Sequence, residues 1–215
     1  MRNKGIVAAL IAVAVVAGAG EGQAYTYASP QSDPLIKGRE AYLAAVNKGD
    51  WAAVETAYKG FTSDITQLSQ KDVGYAGDPD LDKAFTDAIA NKDADAAKAA
   101  LRRATVDQID RRLSGAQANV KTYQTCSTLV VTAEAFSSAM AGDLSSDDQK
   151  TVSGAMQSAL DACGKPGVFG YGAKPADPDA LKNSTQTIMT MLKGSDAGAT
   201  AAPSAAPTNG DGAGQ

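Results

Sequence analysis

Three aspartates at alternate positions form the pattern in this sequence that comes closest to a known site chemistry. Asp78, Asp80 and Asp82 have the spacing of the first ligands in a calcium-binding loop. Lys83 stands where such a loop needs glycine, and Ile89 where it needs its bidentate glutamate, so this is not an EF-hand. Helix capping is the alternative explanation for these aspartates. We retain them as candidate ligands of a hard cation, calcium or iron, because such ions prefer carboxylate oxygens.

The residue types that most often carry catalysis are scarce. The 215 residues contain no histidine, which excludes Ser-His-Asp and Cys-His nucleophilic catalysis and metal sites with imidazole ligands. No glycine-rich motif for phosphate or dinucleotide binding follows a predicted strand. Nothing in the sequence singles out a catalytic pair of carboxylates. We therefore expect a protein that is not an enzyme and that carries no cofactor.

The two cysteines lie on two predicted helices that fold back on each other. Apolar residues recur in steps of three and four in both: Cys126, Leu129, Ala133, Phe136 and Met140, then Val152, Met156, Leu160 and Cys163. Between the helices, Gly142 is expected to end the first in a left-handed conformation, and Asp143 or Ser145 to cap the second. In an antiparallel pair both cysteines fall at the same level, within reach of a disulfide. The alternative is a pair of free buried thiols.

The two ends of the chain are expected to lie outside the fold. Arg2 and Lys4 precede a short apolar run, which predicts a signal peptide over residues 1–24, cleaved after Ala24 or Ala19. Residues 25–32 are expected to be an extended lead-in. The alanine-, glycine- and proline-rich residues 194–215 are expected to be a disordered tail. Export to the periplasm or the extracellular space suits a disulfide, and no stable membrane insertion is expected after signal cleavage.

Residues 33–193 are expected to form one all-α domain. Polar caps ahead of apolar stripes predict further helix starts at Asp33, Asp50, Asp93 and Asp177, and over residues 78–80. The sequence leaves open whether the fourth helix ends at residues 114–115 or runs on to residue 140. Residues 164–178 are expected to be an ordered loop held by its aromatic side chains. We predict an exported helical bundle of about six to seven helices, built from antiparallel hairpins with one inter-helix disulfide.

The expected partner is a protein. The formal net charge of −4 argues against nucleic acid. Residues 42–61 resemble a helical hairpin of the tetratricopeptide type, with residues 49–51 in the turn, Ala53 and Ala57 as small packing residues, and Tyr58 as the bulky one. The resemblance implies binding of a peptide or protein. We predict a non-enzymatic binding or scaffold protein and, as the alternative, an accessory protein that binds a hard cation through carboxylates.

Overall fold

A computed structural model describes residues 33–167 and 173–194. Within these ranges the fold is all-α, as predicted, with seven helices. They are α1 Pro34–Lys48, α2 Trp51–Leu68, α3 Leu81–Asn91, α4 Ala94–Ala118, α5 Tyr123–Ala139, α6 Ser146–Ala162 and α7 Pro178–Gly194. None of the seven has the combination of length and hydrophobicity that a membrane-crossing helix requires.

Several expectations concern segments beyond these ranges. The predicted signal peptide over residues 1–24 and the lead-in over residues 25–32 lie outside the described residues. The same holds for residues 168–172 of the predicted loop and for the predicted tail from residue 195 onward. The first residue assigned to that tail, Gly194, instead belongs to α7.

Short polar side chains cap the helix starts that the sequence indicates. Asp33, Asp50, Asp93 and Asp177 each accept a hydrogen bond from a backbone N–H in the first turn of the helix that follows, over 2.9–3.1 Å. Each bond satisfies a donor that the helix itself leaves unpaired. Gly49 ends α1 in the left-handed conformation, with φ of 68°, so the chain turns directly into α2.

The start of α3 is built differently from the other helix starts. The helix begins at Leu81, and Asp80 at its cap position makes no side-chain capping hydrogen bond. Asp78 instead holds the approach to the helix, because its carboxylate accepts from the backbone N–H of Asp80 at 3.3 Å. Its carbonyl oxygen accepts from the N–H of Leu81 at 3.2 Å. The predicted boundary is therefore close, but the capping role belongs to an earlier aspartate.

A turn over residues 119–122 separates α4 from α5, and α4 continues past residues 114–115. Neither predicted alternative is correct. The side-chain amide of Asn119 donates to the carbonyl oxygen of Gly115 at 2.8 Å and so caps the last turn of α4. Gly115 has a packing role, because Leu129 of α5 lies 3.3 Å from where a Cβ would stand. Glycine at this position lets the two helices approach closely.

The predicted disulfide between Cys126 of α5 and Cys163 after α6 is present, with a Cα–Cα distance of 5.7 Å. The predicted left-handed conformation of Gly142 is wrong: its φ is not among the positive values of the described residues. The chain leaves α5 through a short 3₁₀ helix, Ala141–Asp143, which turns without a left-handed residue. Ser145 caps α6 by accepting from a backbone N–H at 3.1 Å, which decides between the two predicted caps.

A cluster of aromatic side chains lies where α1, α2 and α3 meet. Four aromatic rings, Tyr42, Tyr58, Phe61 and Phe85, pack with centroids 5.0–5.8 Å apart, mostly edge to face. Such contacts add to the free energy gained by burying the rings. Most residues of the predicted stripes are buried in the core, among them Leu35, Val54, Ile65, Leu68, Leu81, Leu101, Ile109, Leu113, Phe136, Leu181 and Ile188.

Each helix of the disulfide-linked pair packs most extensively against a different neighbour. The main contacts of α5 are with α4, and those of α6 are with α7. Contacts between α5 and α6 themselves are fewer. These contacts agree only in part with the predicted antiparallel hairpins. They leave a seam between α5 and α6 that is spanned by the turn over residues 140–145 and by the disulfide.

Candidate functional site

A groove of about 520 Å³ lies in this seam, near the turn that joins α5 to α6. Its size is within the range of ligand-binding clefts, which is about 300–1,000 Å³. Most of its lining side chains are small or polar, and a few are apolar: Glu134, Ser137, Ser138, Ala141, Leu144, Ser146, Gln149, Lys150, Ser153 and Met156. The groove therefore offers hydroxyl, amide and charged groups together with apolar surface.

The groove exists because small residues occupy the seam. Val130 and Phe136 of α5 are buried, as are Val152 and Met156 of α6. Four serines and Ala141 make up half of the residues that line the groove. Because these side chains are short, the two helices can lie side by side without filling the space between them.

Side chains from three elements fix the turn at the end of the groove. Gln149 of α6 donates from its amide nitrogen to the carbonyl oxygens of Ala141 and Leu144, at 2.8 and 3.1 Å. Arg39 of α1 is buried, donates from Nε to the carbonyl oxygen of Ala139 at 3.0 Å, and forms an ion pair with Asp143. The bond from Arg39 satisfies a carbonyl group at the end of α5, and those from Gln149 hold two carbonyl groups of the turn that follows. The turn is thus held in place before any ligand binds.

Some charged side chains near the groove have a partner of opposite charge, and others do not. Lys150 lies 3.5 Å from Asp147, so its charge is matched within α6. Glu134 on α5 is exposed, and no described residue forms an ion pair or hydrogen bond with its carboxylate. Asp148 accepts from the hydroxyl of Ser145 at 2.7 Å and adds a further negative charge near the start of α6. The local balance is therefore acidic.

A second groove, of about 370 Å³, lies between α3 and α4. Its lining consists of five alanines and four polar residues: Ala84, Asp87, Ala88, Asn91, Asp93, Ala96, Ala99, Ala100 and Arg103. Each charged residue among them already has a partner: Asp87 pairs with Lys83, Arg103 pairs with Asp78, and Asp93 caps α4. The α5–α6 groove is the better candidate because one of its lining charges, that of Glu134, has no partner among the described residues.

The three aspartates predicted as cation ligands have separate partners. Asp78 forms an ion pair with Arg103 of α4, and Asp82 accepts a hydrogen bond from the Tyr58 hydroxyl. Asp80 precedes α3 without a side-chain bond to its first turn. Among the described residues, no group of three or more acidic, histidine or cysteine side chains is arranged to hold a metal ion. Cation binding by these residues remains a prediction from the sequence alone.

Asp78 also meets a second carboxyl group, that of Asp107 on α4. Burial raises the pKa of Asp107, and the hydrogen bond and charge of Asp78 raise it further, while Arg103 and Lys193 oppose the rise. One Asp107 oxygen is buried without a hydrogen-bond donor. Two neighbouring carboxyl groups disfavour double ionisation, so this pair retains a proton more readily than an exposed aspartate. The ion pair of Asp78 with Arg103 joins the α2–α3 loop to α4 beside it.

Asp64 of α2 is a buried carboxylate beneath the start of α1. The backbone N–H of Leu35 donates to both Asp64 and Asp33, at 3.0 Å in each case. Burial, followed by the charge of Asp33, raises the pKa of Asp64 to about 6, against opposition from the Leu35 hydrogen bond and Arg112. The arrangement is a second N-terminal cap supplied by a neighbouring helix, and its role is structural.

Arg39 and Asp64 are the residues that the sequence interpretation overlooked. Both fall on the apolar stripes of their helices: Arg39 lies between Leu35 and Tyr42, and Asp64 follows Phe61 by three positions. A charged residue at a stripe position was the available signal, because a buried charge must find a partner. The sequence could not name those partners, which come from distant elements.

Comparison with known proteins returns no relative. No protein-family model, no curated protein and no solved structure matches this chain. The resemblance of residues 42–61 to a tetratricopeptide hairpin therefore finds no support among family models.

Proposed function

We propose that this chain is an exported, non-enzymatic binding protein, and that its binding site is the groove between α5 and α6. The observation that carries the proposal is that this groove is bounded by two helices linked both by a turn and by a disulfide. A site whose walls are fixed in advance loses less conformational entropy on binding. Such preorganisation is the usual condition of a small binding cleft.

Export is supported by two independent features. The N-terminal residues have the charged and apolar pattern of a signal peptide. The disulfide suits an oxidising compartment such as the periplasm or the cell exterior. The histidine-free composition favours binding over catalysis, because the commonest general base and metal ligand is missing from the sequence.

The proposed ligand is an extended segment of a partner protein. The wall formed by the end of α5 and the 3₁₀ helix, from Glu134 to Ala141, is about 10 Å long, at about 1.5 Å per helical residue. An extended chain advances about 3.3 Å per residue, so about three residues would lie in the groove. Serine hydroxyls and the amide oxygen of Gln149 can pair with the backbone of such a segment, while Leu144 and Met156 can contact its side chains.

A matched pair of serine substitutions tests the site. Ser153 lines the groove, whereas Ser158 lies on the same helix, equally exposed, and does not line it. Heptapeptides would be selected from a random display library on the oxidised protein and their affinities measured by fluorescence anisotropy. We expect Ser153→Trp to weaken the selected peptides by at least about tenfold, because the indole fills the space they need, and Ser158→Trp to leave them unchanged.

The same selection can refute the proposal. Peptides whose affinity is equal for the parent and Ser153→Trp would bind elsewhere. A selection that yields no peptide dependent on the groove would also overturn the assignment of this site. Circular dichroism of both tryptophan variants checks that each retains the helical fold.

A further inference from the structure

We infer that the partner segment carries a lysine or arginine side chain, and that Glu134 is the residue of the groove that recognises it. The inference rests on the proposed function and specifies the chemistry of the ligand. Glu134 is the one charged side chain lining the groove that has no ion-pair partner among the described residues.

Glu134 differs from other charged residues of its surroundings. Lys150 is paired with Asp147 at 3.5 Å, and the buried Arg39 is paired with Asp143. On α2, the exposed Glu55 is paired with Lys59 at 2.7 Å. Glu134 lines the groove with no such partner among the described residues, and the side chains beside it on α5 are the uncharged Ser137 and Ser138.

The surroundings of the groove reinforce the preference for a cation. Asp147 and Asp148 lie in the first turn of α6, at the end of the groove where the turn is. Against them stands Lys150, and the charge of Arg39 is already matched by Asp143. The whole chain also carries a net negative charge. An approaching basic segment is therefore attracted, and an acidic one is repelled.

Loss of water from Glu134 on binding strengthens the preference for a ligand with a basic group. A peptide lying in the groove removes water from Glu134, and a carboxylate that loses water without gaining a partner costs free energy. The nearby hydroxyls of Ser137 and Ser138 can compensate only part of this loss. An ammonium or guanidinium group from the peptide compensates it with charge-assisted hydrogen bonds. A ligand without a basic group would leave the carboxylate buried and unpaired.

The test uses the peptides that Ser153→Trp weakens. Each would be synthesised again with its lysine or arginine replaced by glutamine. Both forms would be titrated against the oxidised parent, Glu134→Gln and Glu40→Gln. Glu40 is a matched control because it is exposed, does not line the groove, and forms no ion pair among the described residues.

We expect the parent to bind the basic peptide about tenfold more tightly than its glutamine form. This factor corresponds to the lower end of the free energies measured for hydrogen bonds to charged groups. Glu134→Gln should abolish that preference and Glu40→Gln should retain it. Groove-dependent peptides without a basic residue, or an unchanged preference in Glu134→Gln, would overturn the inference while leaving the binding site in place. The absence of any groove-dependent peptide would overturn both.

Discussion

Arg39 shows how one residue can position a distant surface. It stands on the apolar face of α1, where burial removes water from its guanidinium group. Asp143 and the carbonyl oxygen of Ala139 compensate for that loss, and both belong to the end of α5 and the turn that follows. The charge therefore ties α1 to the end of the groove. An apolar residue at this position could be buried equally well, but it would form no bond that holds the turn in place.

This ion pair yields a prediction about stability. Asp143→Ala should lower the free energy of unfolding by about 2 kcal/mol, because Arg39 would remain buried without its counter-charge. The loss falls below the full value for a buried pair, since the Asp143 side chain is 37% exposed and water can reach its site. The measurement is urea unfolding followed by circular dichroism.

A neighbouring aspartate provides the control for that experiment. Asp147 also forms an ion pair, with Lys150, but the two side chains are 90% and 79% exposed. Exposed pairs contribute little, so Asp147→Ala should change the free energy of unfolding by no more than about 0.5 kcal/mol. Equal losses in the two variants would show that burial of Arg39 does not determine the cost.

At the scale of helices, the sequence predicted where elements begin better than what they pack against. Aspartate caps and steps of three and four locate α1, α2, α4 and α7 because these signals are local. The same stripes identify which face is buried but do not identify the helix that buries it. The predicted α5–α6 pair is linked by its disulfide, yet each member packs mainly on another helix. The groove follows from that difference and could not be predicted from the sequence.

The partners of the candidate cation ligands could not be predicted from the sequence for a related reason. Asp78, Asp80 and Asp82 are close in sequence, but the fold determines which residue each side chain contacts. Arg103 and Tyr58, from α4 and α2, take two of the three. Neither partner is visible in a local pattern, since both lie more than twenty positions away in sequence.

The disulfide should account for a large share of the link between α5 and α6. Replacing Cys126 and Cys163 by alanine together should lower the free energy of unfolding by about 3 kcal/mol, because the unfolded chain regains the freedom of a long loop. Direct packing between these two helices is limited and cannot replace the bond. Urea unfolding with and without reductant measures the effect. Reductant should destabilise the parent and leave the double variant unchanged, and a loss below about 1 kcal/mol would contradict the prediction.

At the scale of the whole molecule, two separate sites make stability depend on pH in the same direction. Burial raises the pKa of Asp64 to about 6, and burial together with Asp78 raises the pKa of Asp107. In both, the fold disfavours the ionised form. The folded chain therefore holds protons that the unfolded chain releases, and the free energy of unfolding increases as the pH falls from 8 through 6 toward 4.5.

Asp64→Asn isolates one of these contributions. The amide oxygen can still accept the hydrogen bond from Leu35, but it carries no charge to be desolvated. We expect the gain in unfolding free energy between pH 8 and pH 5 to shrink by about 1.4 kcal/mol relative to the parent, because pH 5 lies about one unit below the raised pKa of Asp64. Urea unfolding at half-unit pH steps provides the measurement.

The global charge of the chain changes over the same pH range, so the experiment needs a charge-matched control. Lowering the pH reduces the net negative charge and with it the repulsion within the folded chain, which also stabilises it. Asp161→Asn removes the same single charge from an exposed position on α6. If charge repulsion alone caused the pH dependence, both variants would reduce the change of unfolding free energy with pH by the same amount. Flattening by Asp64→Asn alone would assign the effect to the buried carboxylate beneath α1.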